Sequence, residues 1–178
     1  MLNVCVSVYT ARMVTGMAVT LTSFEIFQAA MIGAKRNIEA KVRRLPDRHG
    51  FTGSGWDAHI EGACGEIAVA KFLGLYWGGS VNTFKTGGDV SGLEVRTRSE
   101  SHYDLIIRDN DPPDSIYILV IGQCPTYQVV GWVRGREGKR AEYRKTHGGR
   151  PGAYFVPQSA LRPIEELREE TRQAALAA

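Results

Sequence analysis

The sequence predicts an α/β or α+β layer protein, with a central mixed β-sheet flanked by helices. Three observations carry this. Two long stretches, from Thr22 to Leu45 and from Asp57 to Leu73, repeat apolar or small residues at helical spacing. The period then falls to two, and five strand-like runs follow between Val81 and Val133. A short basic stretch, a last strand and a C-terminal helical stretch close the chain, so helices precede and follow a block of strands. The length of 178 residues suits one domain with a real core. Hydrophobic and charged contents of 43% and 23% are those expected of an ordinary soluble globular protein.

The N-terminal stretch MLNVCVSVYTARMVTG, residues 1–16, is apolar in patches. It lacks a basic leader region and is broken by Arg12, which argues against a membrane span. It is expected to be a disordered extension or the product of an early start codon. Met17 opens a more natural start, and 17–178 is expected to form a single domain.

Residues 18–22 read as a short strand. Thr22 and Glu25 have capping-box spacing and start the first helix. Phe24, Phe27, Met31, Ala34, Ile38, Val42 and Leu45 form its one apolar face, and Pro46 ends it before the glycine-rich DRHGFTGSG. The second helix, Asp57–Leu73, is unusually small-sided and stops at Gly74. Its Glu66 shares a face with small and apolar neighbours. A carboxylate there is expected to be partly buried and to need a cation, a metal or a proton.

The expected strands are Val81–Phe84, Leu93–Arg98, Tyr103–Arg108, Ile116–Gly122 and Tyr127–Val133. IYILVIG is continuously apolar, as in a strand covered on both faces. DNDPPD is a turn. Residues 136–146 read as a short basic helix, AYFVP as the last strand and 163–176 as the final helix, beginning near Pro163. Trp132 reads as a core or rim aromatic and His102 as a surface residue. The three cysteines are widely spaced without a CxxC pair, which agrees with a reducing cytoplasm.

The chemistry gathers on three acids: Glu66 on the small-sided helix, Asp89 in the GGD turn, and Glu94 on the alternating strand LEVRTR. Magnesium or manganese takes oxygen ligands, and carboxylates from separate elements converging at a sheet edge are a common protein contribution. Arg96, two residues after Glu94 on the same strand face, stands where a cation would orient water or bind the scissile phosphate. A solvated edge strand would also put Glu94, Arg96 and Arg98 on one face. Net charge is only +3, yet residues 134–150 carry seven Lys/Arg against two Glu, and residues 35–48 carry six against two acids. Such clusters suit a polyanion. Arg36, Arg43, Arg44, Arg140, Arg144 and Lys145 are the candidate nucleic-acid contacts; solvated helix faces are the plainer alternative.

GEIAVAKFLG, then GGDV, then LEVR, followed by apolar strands and a helix, resembles the PD-(D/E)XK nuclease superfamily over roughly residues 57–145. GGSVNTFK and VRTR, with GWVRG and YFVP, look like segments of small phage or prophage proteins. The resemblance implies a restriction-endonuclease-like core, a DNA partner, a magnesium or manganese cofactor and a place in the bacterial host's cytoplasm. Carried over by residue, Glu66 matches the helix acid, Asp89 the motif Asp, and Glu94 the acid of the triplet. Arg96 departs from the pattern, which expects lysine. Arginine is planar, permanently charged and a poor proton shuttle, but it binds phosphate strongly. The expected function is therefore nucleic-acid binding with phosphodiester hydrolysis. Its rivals are an inactive domain that binds nucleic acid or a protein, and a structural accessory protein. A homo-oligomer is compatible with all three.

Overall fold

The computed structural model describes residues 16–44, 55–81, 88–147 and 151–177. Strand β1 (Met17–Thr20) runs into the predicted capping box. The Thr22 hydroxyl accepts the Glu25 N–H at 3.3 Å, and the Glu25 carboxylate accepts the Thr22 N–H at 2.6 Å. This starts helix α1 (Ser23–Val42), which ends in a turn with Arg44 at φ 51°. Leu45, Pro46 and the glycine-rich stretch lie outside the described residues, as does the segment 1–15. Helix α2 (Gly55–Leu73) ends at Gly74, whose φ of 70° suits a residue without a side chain.

Four strands follow: β2 (Leu93–Arg98), β3 (Leu105–Arg108), β4 (Ile116–Gln123) and β5 (Thr126–Arg134). Of the predicted strand Val81–Phe84, Val81 is a bend and the rest lies outside the described residues. The predicted basic helix 136–146 is corrected. It is a single turn, α3 (Gly135–Gly138), then a 3-10 turn (Ala141–Tyr143) and the two-residue strand β6 (Arg144–Lys145). Two glycines in four residues weaken a helix. Gly135 also lies so close to the backbone of Pro112 and Pro113 that a side chain would collide there. Strands β7 (Ala153–Val156) and β8 (Arg162–Pro163) precede helix α4 (Ile164–Ala177).

The main sheet has the order β1-β5-β4-β2, with β8 also paired to β5. It is mixed: β2 and β4 are parallel, and the other pairs are antiparallel. Strands β3, β7 and β6 form a second, antiparallel sheet. Strand β4 separates two cores by its alternation. Ile118 and Val120 face a core shared with α2 and α4, whereas Tyr117, Leu119 and Ile121 face the second sheet. Each such fully buried side chain contributes roughly 1.5–3 kcal/mol. Trp132 belongs to the first core, 1% exposed, and its indole N–H donates to the Pro163 carbonyl at 3.1 Å.

Small residues set the helix layer. Gly65 of α2 sits directly on Thr97 of β2, leaving no room for a side chain. Gly33 of α1 lies so close to α2 that an added Cβ would stand 2.7 Å from the Ile60 Cα. Helix α1 therefore buries Ala29, Gly33 and Asn37, not the apolar face that periodicity selects. Phe24, Phe27, Met31, Ile38 and Val42 are exposed. No helix among the described residues is long and apolar enough to cross a membrane.

Candidate functional site

The site grows from the tight turn that feeds β2. Gly88, Ser91 and Gly92 all take positive φ, and the Asp89 N–H donates to the Leu93 carbonyl at 2.8 Å. The turn folds Asp89 back along β2, where its Oδ2 accepts the Val95 N–H at 2.8 Å. Strand β2 is the sheet's edge. Asp89 thus satisfies a backbone donor that lacks a neighbouring strand.

The alternation of β2 is as expected. Leu93 and Val95 pack into the helix-side core, and Thr97 lies against Gly65. Arg96 turns to the opposite face, its guanidinium 5.0 Å from the centre of the Tyr117 ring. There it meets three carboxylates. Nη2 donates to Asp111 Oδ2 at 3.0 Å, Nη1 donates to Glu94 Oε2 at 3.3 Å, and Asp89 Oδ2 lies 3.9 Å from Nη1. Asp111, in the turn between β3 and β4, also accepts the Arg108 N–H at 2.9 Å. Sequence reading missed it as a site residue. Its only signal was the acidity of DNDPPD, which reads as turn chemistry.

Three carboxylates against one guanidinium leave this corner negative. Burial pushes the Glu94 carboxyl above its ordinary range, and Asp89 and Asp111 push the same way against the pull of Arg96. Burial opposes the Arg96 charge, but Asp111, Glu94 and Asp89 together raise its pKa. Asp89 Oδ1 and Glu94 Oε1 accept no hydrogen bond from the described residues. Carboxylate oxygens of this kind are what magnesium or manganese takes, so the donor set of Asp89 and Glu94 fits such an ion. Farther along the face, Arg98 stacks on Tyr103 at 4.3 Å, and burial lowers its pKa.

Glu66 has a separate environment. It is 5% exposed, and Arg36 grips it with both guanidinium arms, Nη1 to Oε1 at 2.6 Å and Nη2 to Oε2 at 2.9 Å. The Trp77 indole N–H donates to Oε2 at 2.9 Å, and Arg36 Nε donates to the Ser80 carbonyl at 2.8 Å. Of the three partners expected for a buried Glu66, the structure supplies the cation. Burial raises the Glu66 pKa against the pull of Arg36, and Asp89 adds to the rise. Burial and Arg36 together lower the pKa of His59. Arg36, expected on a nucleic-acid surface, is instead this buried partner. Asp89 lies within electrostatic reach of both clusters. Among the described residues, no three His, Cys, Asp or Glu are grouped to hold a metal, so Glu66, Asp89 and Glu94 do not form one ligand set.

The other basic candidates are on the surface, mostly engaged. Arg144 pairs with Asp109 at 2.7 Å, Arg140 with Glu142 at 3.6 Å and Arg43 with Glu39 at 3.2 Å. Arg136 pairs with Asp114, and Lys139 Nζ donates to the Asp109 and Asp111 carbonyls. The basic segment thus folds over the acidic turn 109–114. Arg44 and Lys145 are exposed.

No family model matches the chain, and no curated protein or solved structure is significantly similar to it.

Proposed function

We propose that this protein is a nuclease-like domain that binds DNA and acts on its phosphodiester backbone at the outer edge of β2. The carrying observation is the cluster of Asp89, Glu94 and Asp111 around Arg96, three carboxylates sharing one cation on an edge strand. The excess negative charge favours a divalent ion. Asp89 and Glu94, with side chains 29% and 24% exposed, are the residues that would hold it. When bound, magnesium or manganese supplies an activated water and stabilises charge on the phosphodiester.

Arg96 has a different task. It cannot take a proton at working pH, but its planar fork matches a phosphate as well as a carboxylate. An incoming phosphate would compete with Glu94 and Asp111 for the same N–H groups. Glu66 and Arg36 act behind the site. By bonding Trp77 and Ser80 they tie residues 77–80 to both helices.

Calorimetric titration of the full chain with magnesium or manganese tests this reading. Binding is expected for the wild type and is expected to be lost in Asp89→Ala and Glu94→Ala. Cleavage of DNA should follow the same pattern, and Arg96→Lys should raise it, because a compact ammonium leaves room for water that a guanidinium fills. No metal binding by the folded wild type, with no gain in Arg96→Lys, would overturn it.

A second reading has its own support. Arg96 already meets three carboxylates, so the cluster is complete as an ion-pair network without metal. In that reading the protein binds nucleic acid and does not cut it. DNA affinity that falls steeply with salt, without metal-dependent turnover, separates the two.

A further inference from the structure

Helix α1 carries its largest apolar side chains on the outside. Phe24, Phe27, Met31, Ile38 and Val42 are 66%, 59%, 58%, 49% and 74% exposed. The opposite face, with Ala29, Gly33 and Asn37, is already buried. Phe24, Phe27, Met31, Ala34 and Ile38 repeat at alternating steps of three and four, the spacing of a coiled-coil seam. The exposed apolar area of the stripe is on the order of 500 Å², the size of the largest apolar patch on a typical monomer, and such patches often mark an interaction site. A stable association needs about 800 Å² from each partner. Gln28, Lys35 and the 85%-exposed Tyr76 supply the remaining rim.

We infer that this stripe is the interface between two copies of the chain, with the two α1 helices antiparallel about a two-fold axis at Met31. The self-complementarity of the stripe is the reason. Reversed on itself, it sets Phe24 against Ile38 of the partner subunit, Phe27 beside Ala34 of the partner subunit, and Met31 against Met31 of the partner subunit. Phe27 meets the smaller Ala34 on either side of the axis, and each contact occurs twice, as an isologous interface requires. A parallel pairing would put both Phe27 rings together and leave a gap between the two Ala34 side chains. Charge agrees. Side by side, antiparallel helices oppose their dipoles, whereas parallel helices align them. Beside the axis, a cleft of about 300 Å³ lined by Gln28, Met31, Ile32, Tyr76, Trp77 and Gly79 gives a partner side chain a place to enter. The interface does not depend on the nuclease reading.

Sedimentation of the full chain over a wide concentration range should show a reversible dimer. Met31→Glu should weaken association at least tenfold while leaving the circular dichroism spectrum unchanged. Phe27→Glu, a second exposed position, should do the same. In a background with Cys5 and Cys124 changed to serine, Met31→Cys should link to itself under mild oxidation. Val42→Cys should not, because antiparallel pairing places the two copies of position 42 about 33 Å apart along the helices. A full chain that stays monomeric overturns the inference, whether residues 1–15 or another protein then covers the stripe. So does a dimer indifferent to both glutamate substitutions, or one in which Val42→Cys links as readily as Met31→Cys.

Discussion

Two guanidinium groups in this molecule meet carboxylates in opposite ways. Arg36 and Glu66 match one cation to one anion: two short hydrogen bonds join them, Trp77 and Ser80 take up further bonding capacity, and Glu66 is shut from water. Arg96 serves three carboxylates from three places in the chain, at longer distances, on a strand with an open edge. The first arrangement has no unmet charge and ties α1, α2 and the following loop together. The second has surplus negative charge within reach of solvent. Arginine–carboxylate chemistry thus makes a lock where charges balance and burial is complete. Where acceptors outnumber donors at an edge, it makes a place that can still take a cation or exchange a ligand.

The sharpest way to break this comparison is to remove the cation from each cluster. Arg36→Met leaves Glu66 buried with Trp77 as its one donor among the described residues. Stripping one partner from a buried pair costs about 3–5 kcal/mol, so the urea midpoint should fall steeply. The double variant Arg36→Met/Glu66→Met should recover much of that loss, because an apolar pair has no stranded charge. A single-variant cost below about 1 kcal/mol, the range of exposed pairs, would deny Arg36–Glu66 its role as a lock.

Arg96→Gln should cost less, about 1–3 kcal/mol, since water reaches the carboxylates it leaves behind. Its distinctive sign is metal dependence. With the guanidinium gone, Asp89 and Glu94 should take magnesium or manganese more readily. Either ion should then raise the melting temperature of Arg96→Gln more than that of the wild type, through ligand binding to the folded state. Sodium chloride at matched ionic strength is the control. Equal shifts for magnesium and sodium would mean that the surplus charge attracts only a diffuse ion atmosphere.

Much of this contrast was legible in the sequence, and the illegible parts share a cause. Alternation along LEVRTR placed Glu94, Arg96 and Arg98 opposite Val95, and the small-sided α2 foretold a buried Glu66 in need of a cation. Both are local patterns whose period survives folding. The identity of that cation did not show, because Arg36 reaches Glu66 only after α1 docks on α2. Asp111 stayed hidden for the same reason: a turn far along the chain is brought over Arg96 by the parallel pairing of β2 with β4. For α1, periodicity marks where apolar residues lie, not which face packs. Ala29 and Gly33 let the backbones approach closely and so won the interface over Phe24, Phe27 and Met31. The pairing of Arg136, Lys139 and Arg144 with the turn 109–114 is likewise a contact between distant segments that no local pattern announces.

The smallest expected effect concerns pH and sharpens the description of the open cluster. Burial, Asp89 and Asp111 hold the Glu94 carboxyl above its ordinary value of 4.5, against the pull of Arg96. The folded state therefore binds a proton at Glu94 more readily than the unfolded state does. Through the interval between 4.5 and the folded value, stability rises as pH falls. The contribution is fully present below the unfolded value and is lost as pH rises through the folded one. Other carboxyls act in the opposite sense. Hydrogen bonds from Arg172 and Gln173 pull Glu169 down to about 2, and Lys71 and Thr22 outweigh burial to lower Glu25, so both remove stability as acid is added. The useful quantity is consequently the difference between wild type and Glu94→Gln, in which these shared contributions cancel. Glutamine keeps an acceptor for Arg96 and cannot titrate, so the difference isolates one carboxyl. Urea midpoints at stepped pH should show the wild type gaining on Glu94→Gln as the solution is acidified from neutral. Saturating magnesium should reverse the trend if Glu94 is a ligand, because the ion favours the ionised carboxylate that protons remove. A difference that is flat with pH would show that Arg96 fully neutralises Glu94. The outer cluster would then be as closed as the pair at Glu66.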